Sequence, residues 1–169
     1  MHPHISKKRL GAVVTLFVSF LIAGGCGKKE EGKVIQQGDG VTVTQNGDKV
    51  SVAGPEGSAE YQAGKNVELP QGFPADVPTY PGMQLEFAGK AGAMFTVNGK
   101  SADAISKVSE GLKTAIAKQG WSQVMSMDQS AAGGAPGQMM SYSKSNRVLN
   151  VVLAANDQGT NISITTGSQ

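Results

Sequence analysis

Four prolines fall within twelve residues, at Pro70, Pro74, Pro78 and Pro81, and no other feature restricts this chain as much. Proline lacks a backbone N–H and clashes with the preceding helical turn, so this stretch cannot be helix. The missing donors also keep it out of a central strand. Residues 69–82 (LPQGFPADVPTYPG) are therefore expected as an extended, polyproline-like strap that closes in a Pro-Gly turn. Phe73, Val77 and Tyr80 are its means of covering the edge of a core.

Downstream of the strap the pattern becomes periodic. Met83, Leu85 and Phe87 alternate with Gln84 and Glu86, and Ala93, Phe95 and Val97 follow an Ala88–Gly92 turn, which predicts a β-hairpin. Ser101 is placed to cap a helix, with Asp103 in its first turn. Ile105, Val108, Leu112, Ala115 and Ile116 form one apolar stripe at helical spacing, and Gly120 ends it. Strands are expected over Trp121–Met127, Gln138–Ser143, Val148–Ala154 and Asn161–Thr165, with a long loop over Asp128–Gly137. The order is ββαββββ, and the expected class is α+β, one amphipathic helix packed on a mostly antiparallel sheet.

Upstream, Val41–Thr44 and Lys49–Val52 alternate around Asn46-Gly47, a hairpin signal. Residues 54–66 have loop composition, and residues 27–40 are polar and Gly-rich. The expected division is a signal peptide at 1–25, a lipidated flexible tether at 26–40, a small hairpin segment and loop at 41–69, and the α+β domain at 70–169, including the strap at 70–82.

Composition narrows the function. The net charge of +2 is carried by Lys7, Lys8 and Arg9; beyond residue 25, 12 basic side chains face 13 acidic ones. No basic cluster remains of the kind that binds nucleic acid. His2 and His4 are the two histidines, and Cys26 is the single cysteine. The chain beyond Cys26 therefore has no residues for Ser/His/Asp or Cys/His catalysis, His-ligated zinc or a disulfide. It is read as non-enzymatic, with no cofactor.

Lys7-Lys8-Arg9, then the apolar run Leu10–Ala23, then Gly24-Gly25-Cys26 have the three-part form of an export signal. The apolar run is shorter than the roughly 20 residues a membrane span needs. The segment IAGGC resembles the lipobox of bacterial lipoprotein precursors, with Ala23 where Leu is commonest. That resemblance implies cleavage between Gly25 and Cys26, a diacylglyceryl group on the Cys26 thiol, and acylation of its freed amine, commonly by palmitate. Two or three acyl chains hold a protein on a membrane durably, whereas one does so only marginally. Gly27, in place of an Asp, implies the periplasmic face of the outer membrane in a Gram-negative source. The strap also resembles an LPxxFPxDVPxYPG stretch of uncharacterised envelope lipoproteins, a likeness of about 14 residues that carries no activity.

Two strings approach catalytic motifs without reaching them. Asn98-Gly99-Lys100-Ser101 lies between a strand and a helix, but Met94 stands where a phosphate loop needs its first Gly. Ser141-Tyr142-Ser143-Lys144 matches S-x-x-K, but it lies in an expected strand and no Lys-Thr-Gly accompanies it. Phe73, Tyr80 and Trp121 are the candidate binding surface. Met125, Met127 and Met139 are a weaker candidate set for Cu(I), since thioethers suit soft metals. The expected function is a membrane-anchored, non-catalytic envelope lipoprotein that binds or assembles another envelope protein. The alternative is a periplasmic or extracellular carrier of a ligand or Cu(I).

Overall fold

A computed structural model describes residues 33–168 apart from 39, 56 and 130–135. The expected signal peptide, Cys26 and most of the expected tether lie outside the described residues. Ten strands and one helix follow: β1 (Lys33–Gly38), β2 (Val41–Asn46), β3 (Lys49–Gly54), β4 (Gly57–Ala63), β5 (Gln84–Ala91), β6 (Met94–Ser101), α1 (Ile105–Lys118), β7 (Ser122–Gln129), β8 (Gly137–Lys144), β9 (Arg147–Asn156) and β10 (Gly159–Ser168).

All ten strands form one antiparallel sheet in the order β1-β2-β3-β4-β5-β6-β10-β9-β8-β7. This overturns the expected α+β class. Of the described residues 59% are strand and 11% helix, so this part of the protein is mainly β, with one short helix on a long sheet. Two strands were not expected. β1 occupies part of the stretch read as tether, and β4 lies within the stretch read as loop. β4 pairs β3 on one side and β5 on the other, with Tyr61 opposite both Val50 and Gly89. The small hairpin is thus continuous with the rest of the sheet. Backbone N–H and C=O groups make these ladders whatever side chains they carry, so the Gly- and Ala-rich sequence of β4 gives little sign of a strand.

One side of the sheet is covered. Val97, Met140, Tyr142, Leu149, Val151, Leu153, Ile162 and Ile164 point to that side and are buried. Helix α1 lies over them with Val108, Leu112 and Ile116, all in the same core cluster. Burying each such side chain stabilises the fold by about 1.5–3 kcal/mol. The N-cap of α1 is Ala104, without a side-chain cap, rather than the expected Ser101. The Ser101 hydroxyl instead accepts from the Asp103 N–H at 3.1 Å, and Thr160 donates to the Asp103 carbonyl at 2.8 Å, which ties the helix entry to β10. Asp103 lies before the first turn, not in it. The helix ends as expected at Gly120, whose φ of 78° lets its N–H reach back to the Ala117 carbonyl.

The strap is the second cover. It is a chain of tight turns and not the expected polyproline-like extension. The N–H groups of Phe73, Val77 and Met83 donate to the carbonyls of Pro70, Pro74 and Tyr80. Proline blocks its own N–H but leaves its carbonyl free to close a turn on the residue three positions on. Gly72 and Gly82, at φ 79° and 77°, supply the left-handed positions that two of these turns use.

Candidate functional site

The three residues expected to form a binding surface are used inside the molecule. Trp121 and Tyr80 are buried, and Phe73 is half-buried, meeting the Phe95 ring edge-on at 5.8 Å. The Trp121 indole donates to the Asp76 carbonyl at 2.7 Å. The Tyr80 hydroxyl donates to Asp103 at 2.7 Å. These contacts fasten the strap to the core, and the three rings do not meet in a shared groove. Arg147 stacks over the Trp121 ring, 5.0 Å from its centre, while Arg147 and Lys144 both donate to the Asp76 carboxylate. Burial alone would raise the Asp76 pKa, but the bonds from Lys144 and Arg147 outweigh it and hold the carboxyl below the usual range.

Neither near-motif assembles a site. Gly99, Lys100 and Ser101 are consecutive residues of β6, so no phosphate-cradling loop exists there. Ser141–Lys144 run along β8, and the Ser141 hydroxyl donates to Asn150 at 2.6 Å. Among the described residues, no three His, Cys, Asp or Glu side chains gather to hold a metal.

A hollow of ≈ 530 Å³ opens between α1 and the outer strands β7 and β8. Three of its polar side chains are linked to one another: Ser109 donates to Gln138, and Gln138 donates to Asp128. Ser106, Glu110, Lys113 and Thr114 of α1 also line the hollow.

The other side of the sheet is the most distinctive surface. Directly paired residues of an antiparallel sheet share a face, so the register defines this side strand by strand. It carries Val43 and Val52, then Val50, Tyr61 and Phe87, then Thr96, Asn98, Ser163 and Thr165, then Asn150, Val152, Ser141 and Met139, and finally Met125 and Met127. Neither α1 nor the strap covers it. From β2 to β10 the register places Lys100 there, and its 2.6 Å ion pair brings the bulge residue Glu86 to the same face; among the described residues no other charged side chain is placed on it. Sheet faces that serve only to meet water usually carry Lys and Glu at such positions. Here hydroxyls and amides stand instead, some paired across strands, as in Thr96 with Thr165. Asn98 Oδ1 is shielded from solvent and has no hydrogen-bond partner among the described residues, a condition uncommon enough in folded proteins to mark a position.

Sequence reasoning missed this face, although a signal was present. The alternate positions Thr96 and Asn98 of β6, Asn150 and Val152 of β9, and Ser163 and Thr165 of β10 are mostly polar but uncharged, with Lys100 at the end of β6 the exception. The weaker candidate set does come together. Met127 stands opposite Met139, and Met125 is two residues away on the same face.

The chain matches no family model, no curated protein and no solved structure.

Proposed function

We propose that this chain is a bacterial envelope lipoprotein, anchored by lipid on Cys26, whose sheet is a non-catalytic module that binds another envelope protein. The observation that supports the binding role is the face that α1 and the strap leave open, whose only charges from β2 to β10 among the described residues are the Lys100–Glu86 ion pair. Uncharged side chains with apolar ends are inexpensive to desolvate, and charged residues are depleted at the centres of protein interfaces for that reason. The anchor rests on the IAGGC resemblance and on the placement of the single cysteine.

A photo-crosslinking residue placed at Val152 or Thr165, and separately at the outer helix residue Lys118, tests the binding face in living cells. A discrete adduct with one envelope protein from the sheet positions, and none from Lys118, is the expected result. The same adduct pattern from both sides, or none from either, ends the proposal. The anchor is tested separately, since Cys26→Ser should release the chain from the membrane fraction and abolish incorporation of labelled palmitate.

A further inference from the structure

Met127 on β7 and Met139 on β8 are direct cross-strand partners, and Met125 shares their face two residues along β7. We infer that these three thioethers form a binding site for a soft monovalent metal ion, Cu(I). The site is independent of what the rest of the face binds and of the lipid anchor.

The register supplies the geometry. Directly opposed side chains have Cβ atoms ~4.5–5.5 Å apart, and the diagonal pair Met125 and Met139 is ~7–8 Å apart. A metal ion held by three sulfurs at about 2.3 Å needs those sulfurs roughly 4 Å from one another. Methionine is unbranched, with three rotatable bonds, so its sulfur closes that gap without moving the backbone.

These side chains are also free to act. Met125 and Met127 are 41% and 50% exposed, whereas Met140, on the other side of β8, is fully buried in the core. None of the three belongs to the core cluster under α1. Val152, the partner of Met139 on β9, gives one side of the site a hydrocarbon wall. Among the described residues β7 is the last strand of the sheet, which gives the ion access from the edge.

The donors select the ion. Thioethers are neutral and soft, which favours Cu(I) over the hard cations that need oxygen ligands. They also do not titrate. Binding should therefore be independent of pH over about pH 5 to 8, where imidazole and thiolate sites lose affinity to protons.

The test uses the full chain in detergent, with His2→Ala, His4→Ala and Cys26→Ser in every sample so that those groups do not compete. Cu(I) is titrated against a chromogenic Cu(I) chelator. The parent should withdraw one equivalent more than a Met125→Leu/Met127→Leu/Met139→Leu variant, with the same midpoint at pH 5 and pH 8. Met94→Leu is the control: Met94 is 54% exposed but lies three strands from Met139 and four from Met125 and Met127 in the sheet order, about 14 and 19 Å, and its loss should change nothing. X-ray absorption of the parent loaded with one equivalent should show a copper shell of sulfur alone. Equal uptake by the parent and the triple variant overturns the site, as does an equal loss in Met94→Leu. A first shell of nitrogen or oxygen overturns it without relying on any variant.

Discussion

The carboxylate of Asp76, on the strap, accepts a 2.7 Å hydrogen bond from the ammonium of Lys144, on β8, 68 residues further along the chain. Arg147 adds two bonds to the same carboxylate at 3.0 and 3.1 Å, and Trp121 bonds the Asp76 carbonyl. One strap residue thus holds the β8–β9 hairpin and the start of β7 together.

Asp76→Asn should cost roughly 1–2 kcal/mol at neutral pH by urea denaturation. The figure is kept low because the side chain is 24% exposed and partly screened. Because folding lowers the Asp76 pKa, its contribution is complete above the ordinary aspartate range and is lost as pH falls through the lowered folded value. Parent and variant should therefore converge in stability in strong acid. A gap of constant size at all pH values would show that the carboxylate charge is not what matters.

Tyr80→Phe should shift the titration of Asp103 to higher pH. Lys107 contributes most to holding that carboxyl low, and Tyr80 comes next, so Lys107→Met should shift it further. Carbon NMR of the Asp103 carboxyl reads both. An unchanged midpoint in Tyr80→Phe would mean that the 2.7 Å bond does not form in solution.

Leu112→Ala should destabilise the protein by about 2–5 kcal/mol, because the side chain is 1% exposed between α1 and the sheet. Leu69→Ala, at a residue 44% exposed, should stay within about 0.5 kcal/mol of the parent. Thermal and urea unfolding distinguish the two.

Gly99→Ala should cost roughly 1–3 kcal/mol. Its new methyl would press on the Gln84 carbonyl, a backbone atom, and come within 2.9 Å of the Met83 side chain. Gly47→Ala meets no atom within 4 Å, and its cost comes from a φ of 58° alone, about 1 kcal/mol. Equal losses in the two variants would contradict the close approach of β5 to β6.

Hydrogen exchange should separate the two halves of the sheet. β9 and β10 contain Leu149, Val151, Leu153, Ile162 and Ile164, all fully buried, and their amides should exchange only with global unfolding. No described side chain of β2, β3 or β4 is fully buried, so those amides should exchange through local opening at much lower free energy. Uniform protection across all ten strands would show that β2, β3 and β4 are covered in solution.

What could be read in advance follows from the range of the signal. The stripe of α1 repeats within one helix, and the alternation of β5, β6, β9 and β10 repeats within one strand, so local periodicity reveals both. Gly57–Ala63 carries Gly, Ser and Ala at positions that give no alternation, and its strand state comes from the two neighbours that pair with it. Phe73, Tyr80 and Trp121 were legible as large aromatics. Their use as internal fastenings depended on Asp76, Asp103 and Phe95, which lie elsewhere in the sequence.

The sequence by itself determined that residues 70–81 are neither helix nor central strand, that one helix precedes Gly120, and that no histidine lies beyond His4. Proline geometry, helical spacing and composition are properties of adjacent residues or of the whole chain, so no partner is needed to read them. Only the tertiary structure decided that β10 sits between β6 and β9, that among the described residues one sheet face stays uncovered and almost uncharged, and that Met139 faces Met127. Those outcomes depend on backbone hydrogen bonds between distant segments and on their register. A shift of one residue would exchange the two faces, and no local pattern records which register is taken.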